Sequence, residues 1–75
     1  MKHPLITTNP GIAGGKPIIK GTRITVEMLT DEYAAGRTIE QLLYSYPHLR
    51  REQIEAALAY ADDMKLTSIR ADENR

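Results

Sequence analysis

The side chains in this sequence best suited to chemistry are cations. Lys16, Lys20 and Arg23 recur at near-regular spacing in Gly15-Lys16-Pro17-Ile18-Ile19-Lys20-Gly21-Thr22-Arg23, and Arg50 and Arg51 stand side by side further on. Cations spaced along an extended segment suit phosphates, and arginines at the start of a helix can donate to guanine edges or to the DNA backbone. The chemistry on offer is binding. Enzyme readings fail in turn. Gly15-Lys16 lacks the rest of a phosphate-binding loop, which needs Gly five residues before Gly15 and Ser or Thr after the lysine; Pro10 and Pro17 stand there. His3 and His48 each lack a second ligand three or four residues away, so no metal site is expected. Asp62 and Asp63 are adjacent and point to different sides of a helix. No Ser, His and Asp set suggests a nucleophilic triad. A chain of 75 residues also has little wall for a substrate pocket. No catalytic residue, cofactor, metal or small-molecule substrate is expected.

Charge is segregated along the chain. Through Val26 there are Lys2, Lys16, Lys20 and Arg23 and no acid, which is +4; from Glu27 onward six Lys or Arg face ten Asp or Glu, which is 6 − 10 = −4. A basic leader beside an acidic body could meet nucleic-acid phosphates, or the acidic body of another copy. For Arg23 the competing reading is an ion pair with one of the body's carboxylates. Cysteine is absent, so disulfides and thiolate zinc sites are excluded. No apolar run approaches the roughly 20 residues of a membrane span, and the start lacks the apolar stretch of a signal peptide. The expectation is a cytoplasmic protein without a membrane role. A core this small is thin, so association with a partner is expected to add stability.

Those cations must be held by elements that local signals delimit. Residues before Val26 contain three of the four prolines and four of the five glycines. They read as turns around two short β-favouring runs, Leu5 to Thr8 and Pro17 to Ile19, which need the helical body or a second chain to pair with. Thr25 is the expected N-cap of a first helix whose inner face is Val26, Leu29, Thr30 and Tyr33, closed by Gly36. Thr38-Ile39-Glu40-Gln41 matches a capping box, and Ile39, Leu42, Leu43 and Tyr46 follow helical spacing up to Pro47. A third helix starts at Arg50 or Arg51 and runs at least to Asp63, with Ile54, Ala57, Leu58 and Ala61 inward. Its stretch Ala56 to Ala61 is apolar all round, which suits burial on a second face. Residues 64–75 either extend this helix or form a tail. The fold expected is mainly α: a three-helix helix-turn-helix core over residues 26–63 behind a basic β arm over residues 1–25. Glu52, Glu55 and Asp63 weigh against using the whole third helix to read DNA.

The combination Gly14-Gly15-Lys16-Pro17, Gly21-Thr22-Arg23-Ile24, Ala35-Gly36, Tyr46-Pro47-His48-Leu49 and Ile54-x-x-Ala57-Leu58-Ala59-Tyr60-Ala61 resembles the family named domain of unknown function 433, over about residues 5 to 62. The resemblance implies a homeodomain-like fold and a kinship with VapB-type antitoxins, which are paired with PIN-like ribonuclease toxins. It implies a cytoplasmic, dimeric protein that binds operator DNA and masks a toxin. Relatives carry Thr or Ser where this chain has Arg50, so the third helix is expected to start less sharply here. DNA contact is then expected at Lys16, Lys20, Thr22, Arg23, Arg50 and Arg51, and protein contact at Ala56, Ala59, Tyr60, Met64, Leu66 and Ile69. The alternative is a homodimeric protein-interaction adaptor that never touches DNA.

Overall fold

Ile6 and Ile19 meet across an antiparallel pair of two-residue strands, β1 (Ile6–Thr7) and β2 (Ile18–Ile19), with Thr7 opposite Ile18. So short a ribbon has no stability of its own. It persists because Ile6, Ile18 and Ile19 are buried, Ile19 completely, and β1 lies against the third helix. In the computed structural model, which describes residues 3–64, a single 3-10 turn at Ala13–Gly15 precedes β2, and three helices follow: α1 (Val26–Ala34), α2 (Ile39–Ser45) and α3 (Arg51–Asp63). The protein is mainly helical, as its sequence patterns predict.

The basic leader is folded onto the body. After β2 the chain reverses through a turn closed by the Thr22 N–H donating to the Ile19 carbonyl at 3.0 Å. Gly21 occupies the third position of that turn with φ +83°, a backbone state that L side chains rarely adopt. The chain returns beside β2: the Ile19 N–H donates to Ile24 O, and Val26 N–H donates to Pro17 O, both at 2.9 Å. The result is a small hairpin whose tip is Lys20-Gly21-Thr22-Arg23 and whose far end runs straight into α1.

Each helix is delimited by side chains close in sequence. The Thr25 hydroxyl accepts from the Met28 N–H at 3.0 Å and starts α1. At its end the Arg37 N–H reaches back to Glu32 O and the Gly36 N–H to Tyr33 O, with Gly36 left-handed at φ +102°, so the last carbonyls are satisfied. Thr38 and Gln41 form the reciprocal capping box of α2, at 2.8 and 3.1 Å. At α3 the box is half built. Gln53 Oε1 accepts the Arg50 N–H at 2.7 Å, but a guanidinium has no acceptor to return. The Gln53 N–H turns instead to the Arg50 carbonyl at 2.9 Å, which tightens the first turn.

One core joins these elements: Ile6, Ile19, Val26, Leu29, Leu42, Leu49, Ile54, Ala57 and Ala61. α3 packs chiefly on α1, and the small Ala57 and Ala61 let the two helices approach. Leu58, placed on the inward stripe by its spacing, is half-buried at the edge of this core, as are Ile39, Leu43 and Tyr46. Tyr33 departs from its expected inward place and is 48% exposed. It lies on the last turn of α1 and lines a surface cleft with Gly36 and Arg37. Tyr46 instead ties the ends of two helices together, its hydroxyl donating to Glu32 Oε2 at 2.7 Å.

Two consequences can be measured. Removing the cap with Thr38→Ala leaves the first N–H groups of α2 without their acceptor, and should cost about 1 kcal/mol in chemical denaturation. The hydrogen bond to Glu32, then burial, pushes the Tyr46 phenol up to about 12. A phenol whose pKa is raised by folding adds stability below the usual value near 10, and that contribution is lost between about 10 and 12. Absorbance titration should show one tyrosine ionising late, and Tyr46→Phe should remove that step.

Candidate nucleic-acid interface

Residues 3–64 contain six Lys or Arg, and their partners sort them. Lys16 Nζ meets Glu27 Oε1 at 2.9 Å, Arg37 is 3.7 Å from Glu32, and Arg50 is 3.4 Å from Glu52. Arg51 binds the Glu40 carboxylate across to α2 and also faces Glu55 at 3.7 Å on its own helix. That leaves Lys20 and Arg23. Both are exposed, and neither has an ion pair among the described residues. They sit three positions apart on the one hairpin tip.

The pairing of Arg51 is strong enough to alter its partner. The hydrogen bond from its guanidinium, more than the coulombic field, holds the Glu40 carboxyl below the usual carboxylate range, and Glu40 in turn raises Arg51. Both groups are open to water, so the bridge orients side chains more than it stabilises the fold.

Of the residues expected to touch DNA, Lys20 and Arg23 are the two cations without an ion pair among the described residues. The carboxylate partner expected as the competing reading for Arg23 is not found among the described residues; it is Lys16 that has one. The Thr22 hydroxyl is engaged locally, donating to Ile19 O at 2.8 Å and accepting from the Ile24 N–H at 3.0 Å, so its role is to lock the turn. Arg50 and Arg51 open α3, whereas the leader packs at its other end, where His3 meets Asp63. Arg51 and Asp63 are twelve residues apart on one helix, a rise of about 18 Å. Arg51 shares a cleft with Tyr33 and Gly36 at the end of α1, whereas the hairpin tip leads into the start of α1, so the two expected cation groups lie toward opposite ends of that helix. Between them Glu52, Glu55, Ala59 and Asp62 are exposed at helical spacing, an acidic row where a recognition helix would face phosphates.

At the expected protein-contact face, Ala59 is exposed, Ala56 is half-buried and Met64 is 52% exposed. Tyr60 is partly covered by the chain itself: the His3 ring stands edge-on to it, centroids 5.2 Å apart at 82°. His3 Nε2 is also 2.7 Å from Asp63 Oδ2. Leu66 and Ile69 lie outside the described residues. Sequence spacing gave no hint of the His3 contacts, which span about sixty positions, nor of Tyr44, which stands 88% exposed on α2. Among the described residues no group of three or more His, Cys, Asp or Glu could hold a metal, and no helix is long and apolar enough to cross a membrane.

Residues 6–61 match the family model described as "Protein of unknown function (DUF433)". The chain belongs to the DUF433 family. Its DUF433 domain is 38% identical over 58 residues, 77% of the chain, to "Uncharacterized protein y4eO" of Sinorhizobium fredii, and spans 26% of that protein. It is also similar to a DUF433 member from Anabaena variabilis whose crystal structure was determined at 2.00 Å, with a TM-score of 0.74 and 36% identity. That match covers 79% of this chain and 58% of the other. The chain thus spans about a quarter of the length of one relative and 58% of the other.

The Arg51–Glu40 bridge makes a direct prediction. In an NMR titration of side-chain carboxyls, Glu40 should ionise at lower pH than an ordinary glutamate, and Arg51→Ala should return it to the usual range. An unmoved Glu40 would mean that the bridge does not hold in solution.

Proposed function

We propose that this DUF433 protein is the antitoxin of a type II toxin–antitoxin pair, which binds operator DNA as a homodimer and neutralises a PIN-like ribonuclease toxin in the cytoplasm. The reading is one of binding, with no catalysis, metal or cofactor. The observation that carries it is the cation accounting. Lys16, Arg37, Arg50 and Arg51 each face a carboxylate, while Lys20 and Arg23 have no ion-pair partner among the described residues and share one hydrogen-bonded turn. Lys and Arg that neutralise phosphates release counterions from DNA and supply its affinity, and an unpaired cation does so without first giving up a carboxylate. The succession α2, turn, α3, with α1 packed against both, fits a homeodomain-like reader. In this reading the hairpin tip, rather than the acidic row of α3, lies on the phosphates. Ala59, Met64 and the residues that follow are left for the toxin.

A second reading, the adaptor that never touches DNA, is favoured by Glu52, Glu55 and Asp62 on the outward face of α3, which would repel a duplex and suit a basic protein. Promoter binding measured across a salt series separates the two. The wild type should lose affinity steeply as salt rises, and Lys20→Ala with Arg23→Ala should lower the slope of log K against log salt by about two per chain. An unchanged slope removes the hairpin from the interface. No retention of promoter fragments at low salt, with a neighbouring gene product still co-purifying, leaves the adaptor.

A further inference from the structure

We infer that the cleft between the hairpin tip and the loop after β1 seats one sugar–phosphate unit of the bound nucleic acid, with Arg23 clamping the phosphate; this rests on the DNA-binding reading above. The cleft is about 460 Å³ and is lined by Thr7, Thr8, Asn9, Ile12, Ile18, Gly21, Thr22 and Arg23. Its chemistry is one-sided. Arg23 contributes an unpaired guanidinium, and no carboxylate is among the lining residues. Thr7 and Thr8 are exposed and add hydroxyl donors. Asn9 Oδ1 is already held by the Gly11 N–H at 2.8 Å, so the amide presents its NH2 as the remaining donor. Ile12 and Ile18 supply apolar surface beneath this polar rim. A cation, several neutral donors and an apolar floor match a phosphodiester with its deoxyribose.

Among the described residues, the clefts that hold Lys16 and Arg51 contain a carboxylate paired to the cation. The cleft lined by Lys16, Pro17, Val26, Glu27 and Thr30 is crossed by the Lys16–Glu27 ion pair. The one that includes Tyr33, Arg37 and Arg51 also contains Glu40, to which Arg51 is bound, while Arg37 faces Glu32. An anion entering either competes with a carboxylate; an anion reaching Arg23 meets no such competitor among the described residues. A guanidinium also offers two parallel donors to a phosphate, which an ammonium at the same place cannot. Lys20, beside the cleft on the same turn, adds charge without that geometry.

The test uses the full chain with two duplexes, one cut from upstream of its own gene and one of the same length and composition in scrambled order. Amide shifts on titration should concentrate at Thr7 to Asn9 and Gly21 to Arg23 with both duplexes, because a backbone contact carries no sequence. Arg23→Lys keeps the charge and loses the fork, so affinity should fall about fivefold for both duplexes with the salt slope unchanged. Arg23→Gln should in addition lower the slope by about one per chain. Thr8→Val, which keeps the shape, should weaken both two- to fivefold. These residues are exposed, and the amide spectrum of each variant reports whether it is folded. If binding persists but the shifts fall on Arg51 to Glu55 and the Arg23 variants bind normally, the cleft assignment fails and DNA binding stands. An Arg23→Lys loss confined to the promoter duplex would also overturn it, in favour of a base contact. If neither duplex binds or shifts any amide, the assignment falls together with the DNA-binding reading.

Discussion

Everything the domain presents to a partner depends on the burial of two isoleucines from its first nineteen residues. Ile6 and Ile19 are 6% and 0% exposed and join the core of the helical body, which fastens the two-residue strands to it, while Ile18 is buried beside the hairpin cleft. A chain this short leaves a large fraction of its surface wet, and its three helices alone enclose few large side chains. Each buried isoleucine is worth on the order of 2 kcal/mol of transfer free energy, an appreciable share of the stability of a small domain. The hairpin is therefore one wall of the core, and its tip inherits the rigidity of that wall. Lys20 and Arg23 are presented by a turn whose backbone is fixed at both ends by hydrogen bonds and whose inner residues cannot leave without opening the core.

That rigidity gives meaning to the charge distribution. Surface ion pairs contribute little to stability, so the four cations bound to carboxylates are not what hold the fold together. Their effect is to remove those cations from the field the molecule shows outside. With Lys16, Arg37, Arg50 and Arg51 paired to Glu27, Glu32, Glu52 and Glu40, the positive charge that has no carboxylate beside it among the described residues is left at the hairpin tip. A sequence with zero formal net charge thereby carries a local cationic site.

The parts legible in the sequence are those decided within about four residues. Thr25, the Thr38–Gln41 box, Gly36 and Pro47 mark helix ends because capping is local chemistry, and all four mark the boundaries found. The short β runs were legible as strands in need of a partner; that they pair with each other and then dock on α3 depends on contacts no window contains. The same limit explains the cations. Spacing shows where Lys16 and Arg51 lie, but not that Glu27 and Glu40, each eleven positions away, neutralise them. It also explains Tyr33 and Tyr46, two tyrosines on apolar helical faces. One stays open at the end of α1 and the other reaches Glu32, a contact between helices that the period of neither contains.

The position of Arg50 shows how a local defect and a global arrangement interact. A Thr or Ser there would complete the capping box; arginine leaves the α3 start with one reciprocal bond and a tightened turn. In a helix whose work was to enter the major groove, an added cation at the first turn would compensate for a weaker cap. Here Arg50 faces Glu52 and Arg51 faces Glu40 and Glu55, so the charge is spent within the domain. What the substitution leaves is an α3 N-terminus braced on α2 through side chains. The hairpin end of the domain, which has no acid of its own through Val26, is then the place where an outside anion meets least competition.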